Sequence, residues 1–504
     1  MEPAKVYLIG FIIASLSFLL QIWPRLTKRY FGVDTWKWLE IAEYVRTHKR
    51  LPKRSSKKYI VGSNFGYPPV IVFFLSIASK SFLEKYQFIY SPAFDFFHNY
   101  SIYFMAVAFT GNVSTGIFAQ TVAALVPLLV IEASNLNTRI LSILVYTISF
   151  SSLIMFSIGG SYYWLTTASF FLFILFFTHR FAVQAYAIGI IGIAISEKNI
   201  FYPLFFISIL ALAFVLGGRL YREIFREHLG SIRYWMDKIN LRFAHQIRGL
   251  TSEDKQNNDF ITRAYNLSVR IPLLYLIACN PWIFVLAILY VSSLTHFLPT
   301  PTIYIPLLGK FTVWALSLII WAFLVLSVKQ LRVVGEGHRY IEYAIFPIAL
   351  IGGLYASWLW ETYHFTFLVI FFLLSSIVLF VIYELQVKLV INDHSRTIDR
   401  PLWRIIDFLN RRRDKPVRLA TFPMHLSFAF VYFTRSTVLN SDTYIGQGKM
   451  TDILPVISKP IGKVLEKYRI NHVLLDREYV TIGELELAKY KILIDRDNYV
   501  LLKI

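Results

Sequence analysis

The chain has 504 residues, 56% of them hydrophobic and 17% aromatic, and its mean hydropathy is +0.53. The apolar residues fall in blocks of about twenty, the helical length that crosses a bilayer core of roughly 30 Å, which excludes an ordinary soluble domain. The net charge of +20 gathers between those blocks, which suits anionic headgroups or phosphate-bearing lipids and argues against nucleic acid as a partner.

In chain order, the apolar blocks predict spans at residues 6–23, 68–83, 94–109, 114–131, 140–158, 162–177, 182–195, 201–216, 271–294, 308–328, 340–358 and 365–383. The predicted fold is therefore a polytopic α-helical membrane protein of about 12 spans, with roughly 11–13 compatible with the pattern. Lys5 precedes the first block and no small-residue cleavage site follows it, so the block reads as an uncleaved anchor. The first polar segment, residues 24–67, carries eleven Lys and Arg against three acids. Within it Asp34, Lys37, Glu40, Glu43 and Arg46 recur at helical spacing, while Trp38, Ile41, Ala42 and Val45 form another face. This predicts an amphipathic surface helix with Asp34 in its first turn.

Residues 217–270 form a second, Arg-rich polar stretch, with helical periodicity over 221–248 that predicts an amphipathic helix on the cytoplasmic surface. Beyond residue 383 the pattern becomes that of a small α/β domain, 384–504. A strand is expected over 418–432, a short helix over 460–468, a buried strand over 471–476 and a closing hairpin around residues 496–498. The transmembrane module is taken as 1–383. Basic loops collect in the cytoplasm, and with twelve spans this rule puts residues 217–270 and the C-terminal domain inside. It then leaves the basic segment 24–67 outside, a conflict that an anionic substrate at the outer face would resolve.

One reading of Asp34 is a base that takes a proton from an acceptor hydroxyl; the other is an acid that favours the positive end of its helix dipole. Lys57 and Lys58 end a basic run that would clamp a lipid-linked phosphate. Tyr67 precedes Pro68-Pro69, which fixes how the chain re-enters the membrane, and it joins the substrate-binding set. Glu197 and Lys198 form a polar turn on the side of Asp34 in the twelve-span topology, with Lys198 as a second phosphate contact. Glu361 and His364 lie in an aromatic turn that would line a sugar pocket. The charge cluster at Glu336, His338, Arg339 and Glu342 falls on the opposite side. Cys279 is the only cysteine, which excludes an intrachain disulfide and a cysteine metal site; no CxxC, HExxH or Walker loop occurs.

An early span, an outer loop with Asp34 followed by Trp36 and Trp38, Leu51-Pro52, a basic stretch ending in Tyr67-Pro68-Pro69, many spans and a small terminal domain together resemble the GT-C superfamily of membrane glycosyltransferases. The superfamily includes protein mannosyltransferases, aminoarabinose transferases and oligosaccharyltransferases, and the likeness is to prokaryotic and archaeal members. It implies transfer of a sugar from a polyprenyl-phosphate or pyrophosphate donor to a lipid, glycan or protein acceptor at the outer face of the cell membrane. Asp34 matches the key acid of the first outer loop. The WWDYG-type motif is missing, so en bloc transfer to asparagine is not expected, and Thr35 stands where a paired acid often follows. The C-terminal domain of such enzymes usually sits outside, which favours an odd number of spans. No cofactor or metal is expected, because Lys and Arg can hold the lipid phosphate. The competing reading is a polytopic transporter or a lipid-linked-sugar flippase, against which the uncharged spans in mid-chain speak.

Overall fold

Backbone polar groups find no partners in lipid, so long apolar runs close their hydrogen bonds internally as helices. The computed structural model describes residues 3–54, 56–242, 244–249, 267–268, 270–295, 305–412 and 416–504. The chain divides into two compact units. One comprises Met1–Thr27, Phe88–Gly218 and Arg263–Asn392, and the other Lys28–Gln87, Arg219–Thr262 and Asp393–Ile504. The polar stretches after the first and eighth predicted spans thus pack with the C-terminal domain.

The first unit is a helical bundle. Among the described residues, six helices are long and apolar enough to cross a membrane: Leu8–Thr27, Thr138–Gly159, Arg180–Glu197, Phe201–Leu241, Leu307–Ser327 and Gly337–Ile391. Two bent pairs, Val113–Ala124 with Pro127–Ala133 (65°) and Pro272–Cys279 with Trp282–Ser292 (105°), bring the number to eight. This protein is therefore a multi-helix membrane protein, but the twelve predicted spans are not reached by these criteria. Tyr90–Thr110 carries Asp95, His98 and Asn99, Tyr162–Phe176 has only 15 residues, and residues 340–383 form one helical run interrupted at His364 (φ 42°, ψ −110°).

Local chemistry sets the helix ends. Asn112 and Asn137 cap the helices that follow them, accepting from Ser114 N at 2.8 Å and Arg139 N at 2.9 Å. Gly111 and Gly160 end helices with φ near +66°, a conformation in which a Cβ is strained. Helix Phe201–Lys238 breaks at Gly218 (φ 52°). That is the place where the sequence changes from apolar to Arg-rich, and where one compact unit gives way to the other.

In the second unit, helix Thr35–His48 buries Trp38, Ile41, Ala42 and Val45, the face expected from the periodicity. Trp36 is buried as well, against the rings of Tyr30, Tyr432 and Phe433. The C-terminal domain contributes five strands: β1 (Arg418–Phe422), β2 (Thr437–Val438), β3 (His472–Asp476), β4 (Lys491–Arg496) and β5 (Tyr499–Lys503). Their order is β2-β1-β3-β5-β4. β1 pairs parallel with β2 and β3, while β5 runs antiparallel between β3 and β4. The expected helix (Ile461–Lys467), buried strand and closing hairpin are all present. The long strand expected over 418–432 stops at Phe422. Pro423 follows, and the aromatic run behind it folds as helix Ser427–Phe433. Helix Arg400–Arg411 was not anticipated, although Leu402, Ile405, Ile406 and Leu409 repeat at helical spacing behind an Asp399 cap.

Backbone pairing ties the first polar segment to this domain. Lys58 O and Ile60 N bond Val438 N and O at 2.7 and 2.9 Å, which extends the β2 edge. Gly32 N and Tyr30 O pair with Arg396 O and Ile398 N at 2.9 and 3.0 Å.

The expected span over 68–83 is corrected. Its helix, Val70–Ile77, has eight residues, or about 12 Å of rise against a core of roughly 30 Å. Ala78 is extended, and Ser79 caps a second short helix, Lys80–Tyr86. Residues 219–242 pack in one unit with residues 28–87, although the expected topology puts the stretches 24–67 and 217–270 on opposite membrane faces. Residues 243, 250–266 and 269 of that stretch lie outside the described residues.

Candidate functional site

Asp34 stands at the N-terminus of helix Thr35–His48, exposed, and its side chain makes no capping hydrogen bond. One turn on, Lys37 is 8% exposed. Its ammonium lies 4.7 Å from the Trp38 ring, 5.2 Å from that of Tyr67 and 5.8 Å from that of Phe428. Aromatic faces stabilise a desolvated cation, so a fixed positive charge is held on the same helical flank as Asp34. Tyr67 packs on Trp38 with ring centroids 4.5 Å apart.

Behind this helix flank lies a group of interacting side chains from three parts of the unit. Burial raises the Glu40 carboxyl above the usual carboxylate range; the Ser56 hydroxyl and the Lys58 ammonium pull it partly back, and Asp442 adds to the rise. Burial also lowers Lys58, against the pull of Glu40. Lys58 Nζ donates to the carbonyls of Val431 and Thr434, the latter at 3.0 Å, so it closes the end of helix Ser427–Phe433. The phenol of Tyr59 is buried and well raised by desolvation and by the nearby carboxylates of Asp442, Glu40 and Asp34. His425, within electrostatic reach of Asp34, is held below its usual value by burial and meets the carbonyl of Ser395 at 3.0 Å.

Lys57 points elsewhere. With Arg54, Tyr59, Asn64, Arg226 and Lys449 it lines a cavity of about 580 Å³, a size typical of small-ligand sites. Three chain segments build its wall. A Cβ on Gly66 would meet Glu223 O at 2.8 Å, and one on Gly230 would meet Ile445 Cγ1 at 2.7 Å. Glu227 accepts from the backbone N of Tyr444 and, at 3.3 Å, of Ile445.

The other predicted residues belong to the bundle. The Glu197 carboxylate accepts from the Tyr202 hydroxyl at 2.5 Å and pairs with Lys310. Lys198 ends its helix in the left-handed region, φ 51°. Glu361 accepts from Asn112 Nδ2 at 3.2 Å, and His364 occupies the helix break. The opposite end of the bundle holds Arg25, which donates to Ser134 O at 2.6 Å. Beside it Glu132 pairs with Arg139 and Arg339, which in turn reach Glu342. The structure brings Asp34 and Tyr67 onto one helix flank and Lys57 and Lys58 onto its neighbouring loop. It does not bring Glu197, Lys198, Glu361 or His364 into that unit. Among the described residues, no three His, Cys, Asp or Glu side chains gather into a metal site.

Sequence reasoning missed Lys37, Glu40, Tyr59 and Asp442. The periodicity puts Lys37 and Glu40 on the polar face of the surface helix, but Tyr67 and Phe428 cover Lys37, and Ser56, Lys58 and Asp442 surround Glu40. Only the regular spacing of charges from Asp34 carried a signal.

No protein-family model matches the chain, and a comparison with curated proteins by sequence finds no match. Solved structures do match. ArnT from Cupriavidus metallidurans bound to undecaprenyl phosphate aligns at TM-score 0.57 and 11% identity, over 98% of this chain and 97% of that one. The Archaeoglobus fulgidus oligosaccharyltransferase in complex with Zn and sulfate aligns at 0.56 and 11%, over 95% and 71%. The Archaeoglobus fulgidus enzyme AglB, in complex with an inhibitory peptide and a dolichol-phosphate, aligns at 0.54 and 11%, over 96% and 72%. Across nearly its whole length, the chain has the GT-C fold.

Proposed function

We propose that this protein is a membrane glycosyltransferase that moves a sugar from a polyprenyl-phosphate or pyrophosphate donor to a lipid, glycan or protein acceptor at the outer face of the cell membrane. The observation that carries this reading is Asp34, an exposed carboxylate at a helix start that it does not cap, inside a GT-C fold. Fold alone does not define chemistry, so the weight falls on that residue. Asp34 accepts the proton of an acceptor hydroxyl as its oxygen attacks the anomeric carbon. The bond from that carbon to the phosphate oxygen breaks, and the lipid phosphate leaves. Lys37, fixed among three rings, and the basic segment that includes Lys57 offset negative charge on the substrates.

Support for a lipid-linked donor comes from two matching structures whose bound molecules are undecaprenyl phosphate and dolichol-phosphate. Membranes containing the protein, given polyprenyl-phosphate sugars labelled in the sugar, are expected to pass label to an acceptor and release unlabelled lipid phosphate. Movement of intact labelled donor across the membrane, with no glycosylated product, would overturn the reading in favour of a flippase.

A further inference from the structure

Residues 219–238 are the second half of helix Phe201–Lys238, past the break at Gly218. Successive helical residues lie about 100° apart around the axis, and on that wheel the segment sorts into three stripes. Tyr221, Ile224, Glu227, Ser231 and Tyr234 are buried. Glu227 accepts from the backbone N–H groups of Tyr444 and Ile445, and the Tyr234 ring lies 6.0 Å from that of Tyr444, so this stripe holds the segment in the second unit. Phe225, Leu229 and Met236 are exposed and fall within about 40° of arc, with half-buried Ile232 beside them. Arg222, Arg233, Arg226 and Arg219, also exposed, occupy about the next 80°, and Asp237 is the one acid among them.

An exposed apolar stripe needs a cover, and three observations say what covers this one. The segment starts where a helical run apolar enough to cross a membrane ends, which puts its first turn at a bilayer surface. The arginines stand beside the apolar stripe rather than opposite it, so they reach headgroups while Phe225, Leu229 and Met236 enter the acyl boundary. The second unit also carries another element of this kind. Helices Val70–Ile77 and Lys80–Tyr86, too short to cross, expose Phe73, Phe74, Ile77 and Phe82 next to Lys80 and Lys85. We propose that residues 219–238 form a lipid-binding surface selective for anionic phospholipid, whose headgroup phosphates pair with the arginine stripe. A zwitterionic headgroup brings its own cation beside the phosphate and gains less from those arginines. The inference stands independently of the transferase reading.

The test uses the full chain in phosphatidylcholine nanodiscs, with Cys279→Ser and a fluorophore attached at Met236→Cys. The discs contain nitroxide-labelled phosphatidylglycerol or, at the same mole fraction, nitroxide-labelled phosphatidylcholine. The fluorophore is expected to be shielded from aqueous iodide and quenched by the lipid nitroxides. Labelled phosphatidylglycerol should be roughly fivefold more effective, the preference that one cation gives at an anionic surface. The triple substitution Arg219→Gln, Arg222→Gln and Arg233→Gln should bring the two lipids to parity at an unchanged melting temperature, while Lys at the same three positions should keep the preference. Arg226 is left in place because it pairs with Glu223. Quenching by iodide alone would show the stripe in water and overturn the proposal. Shielding from both iodide and lipid would overturn it in favour of a protein partner. Equal quenching by the two lipids in the unsubstituted protein would overturn the anionic selectivity, and a preference that survives the Gln variant would remove the arginines from it.

Discussion

In the bundle, Asp95 is fully buried and its carboxylate is used up inside the protein. Gln21 Nε2 donates to it at 2.5 Å, His98 Nδ1 lies at 3.3 Å, and His98 Nε2 meets Thr147 at 3.2 Å. Glu132 is likewise paired with Arg139 and Arg339. In the second unit, Asp34 is exposed and caps nothing, and the buried Tyr59 hydroxyl has no hydrogen-bond partner among the described residues. Charged groups buried in a membrane bundle gain most from neighbours that pair with them, since no water is there to do so. The difference teaches which charges hold the fold and which remain available to a substrate.

Four substitutions sharpen the contrast, ordered by expected effect on stability. Asp95→Ala removes the carboxylate met by Gln21 Nε2, Ser17 Oγ and His98 Nδ1, at about 1–3 kcal/mol for each buried group left unsatisfied, and should markedly reduce the yield and melting temperature of the purified protein. Transfer per folded molecule should stay close to wild type; a selective loss of transfer with normal melting would place Asp95 in the chemistry instead. Trp36→Ala empties a site 2% exposed between Tyr30 and Phe433. It should cost about 3–5 kcal/mol, read as faster hydrogen exchange across the second unit.

His472 supplies a pH-dependent test. Burial, with Arg412 and Lys503 nearby, lowers its value to about 4, and Arg412 Nη1 lies 3.1 Å from Nε2. A group lowered on folding stabilises the protein above its unfolded value of about 6.5. That contribution drains away as pH falls through about 4. The melting temperature should therefore drop between those limits, and His472→Gln should flatten the drop. An unchanged profile in the variant would assign the acid sensitivity to other groups. The smallest effect is expected for Glu227→Gln, which weakens charge-assisted bonds to Tyr444 N and Ile445 N by about 1–2 kcal/mol. Its mark would be faster exchange of those two amides, with the bundle unaltered.

Much of this arrangement was legible in the sequence. The spacing of Trp38, Ile41, Ala42 and Val45 gave the buried face of the surface helix, and the turn at Asp497-Asn498 gave the closing hairpin. The failure at residues 68–83 was a failure of composition. Apolarity alone does not reveal that Ala78 is extended and that Ser79 starts a new helix. The Asp34 segment is legible because its charges recur at helical spacing within one short stretch. The cavity was not, because Lys57, Arg226 and Lys449 meet only after folding, across hundreds of residues. Lys37 shows the same limit: nothing local predicts that a lysine will be buried when one of its three rings, Phe428, comes from the far end of the chain.

The most direct measurement is sugar transfer from a polyprenyl-phosphate donor by Asp34→Asn in membranes, compared with wild type at equal protein. Asn keeps the size of the side chain and removes the base, and because Asp34 caps nothing the fold should be untouched. The expected result is a fall in turnover of roughly 10²–10⁴-fold with an unchanged melting temperature. Wild-type turnover in the variant would contradict the assignment of Asp34 as the base.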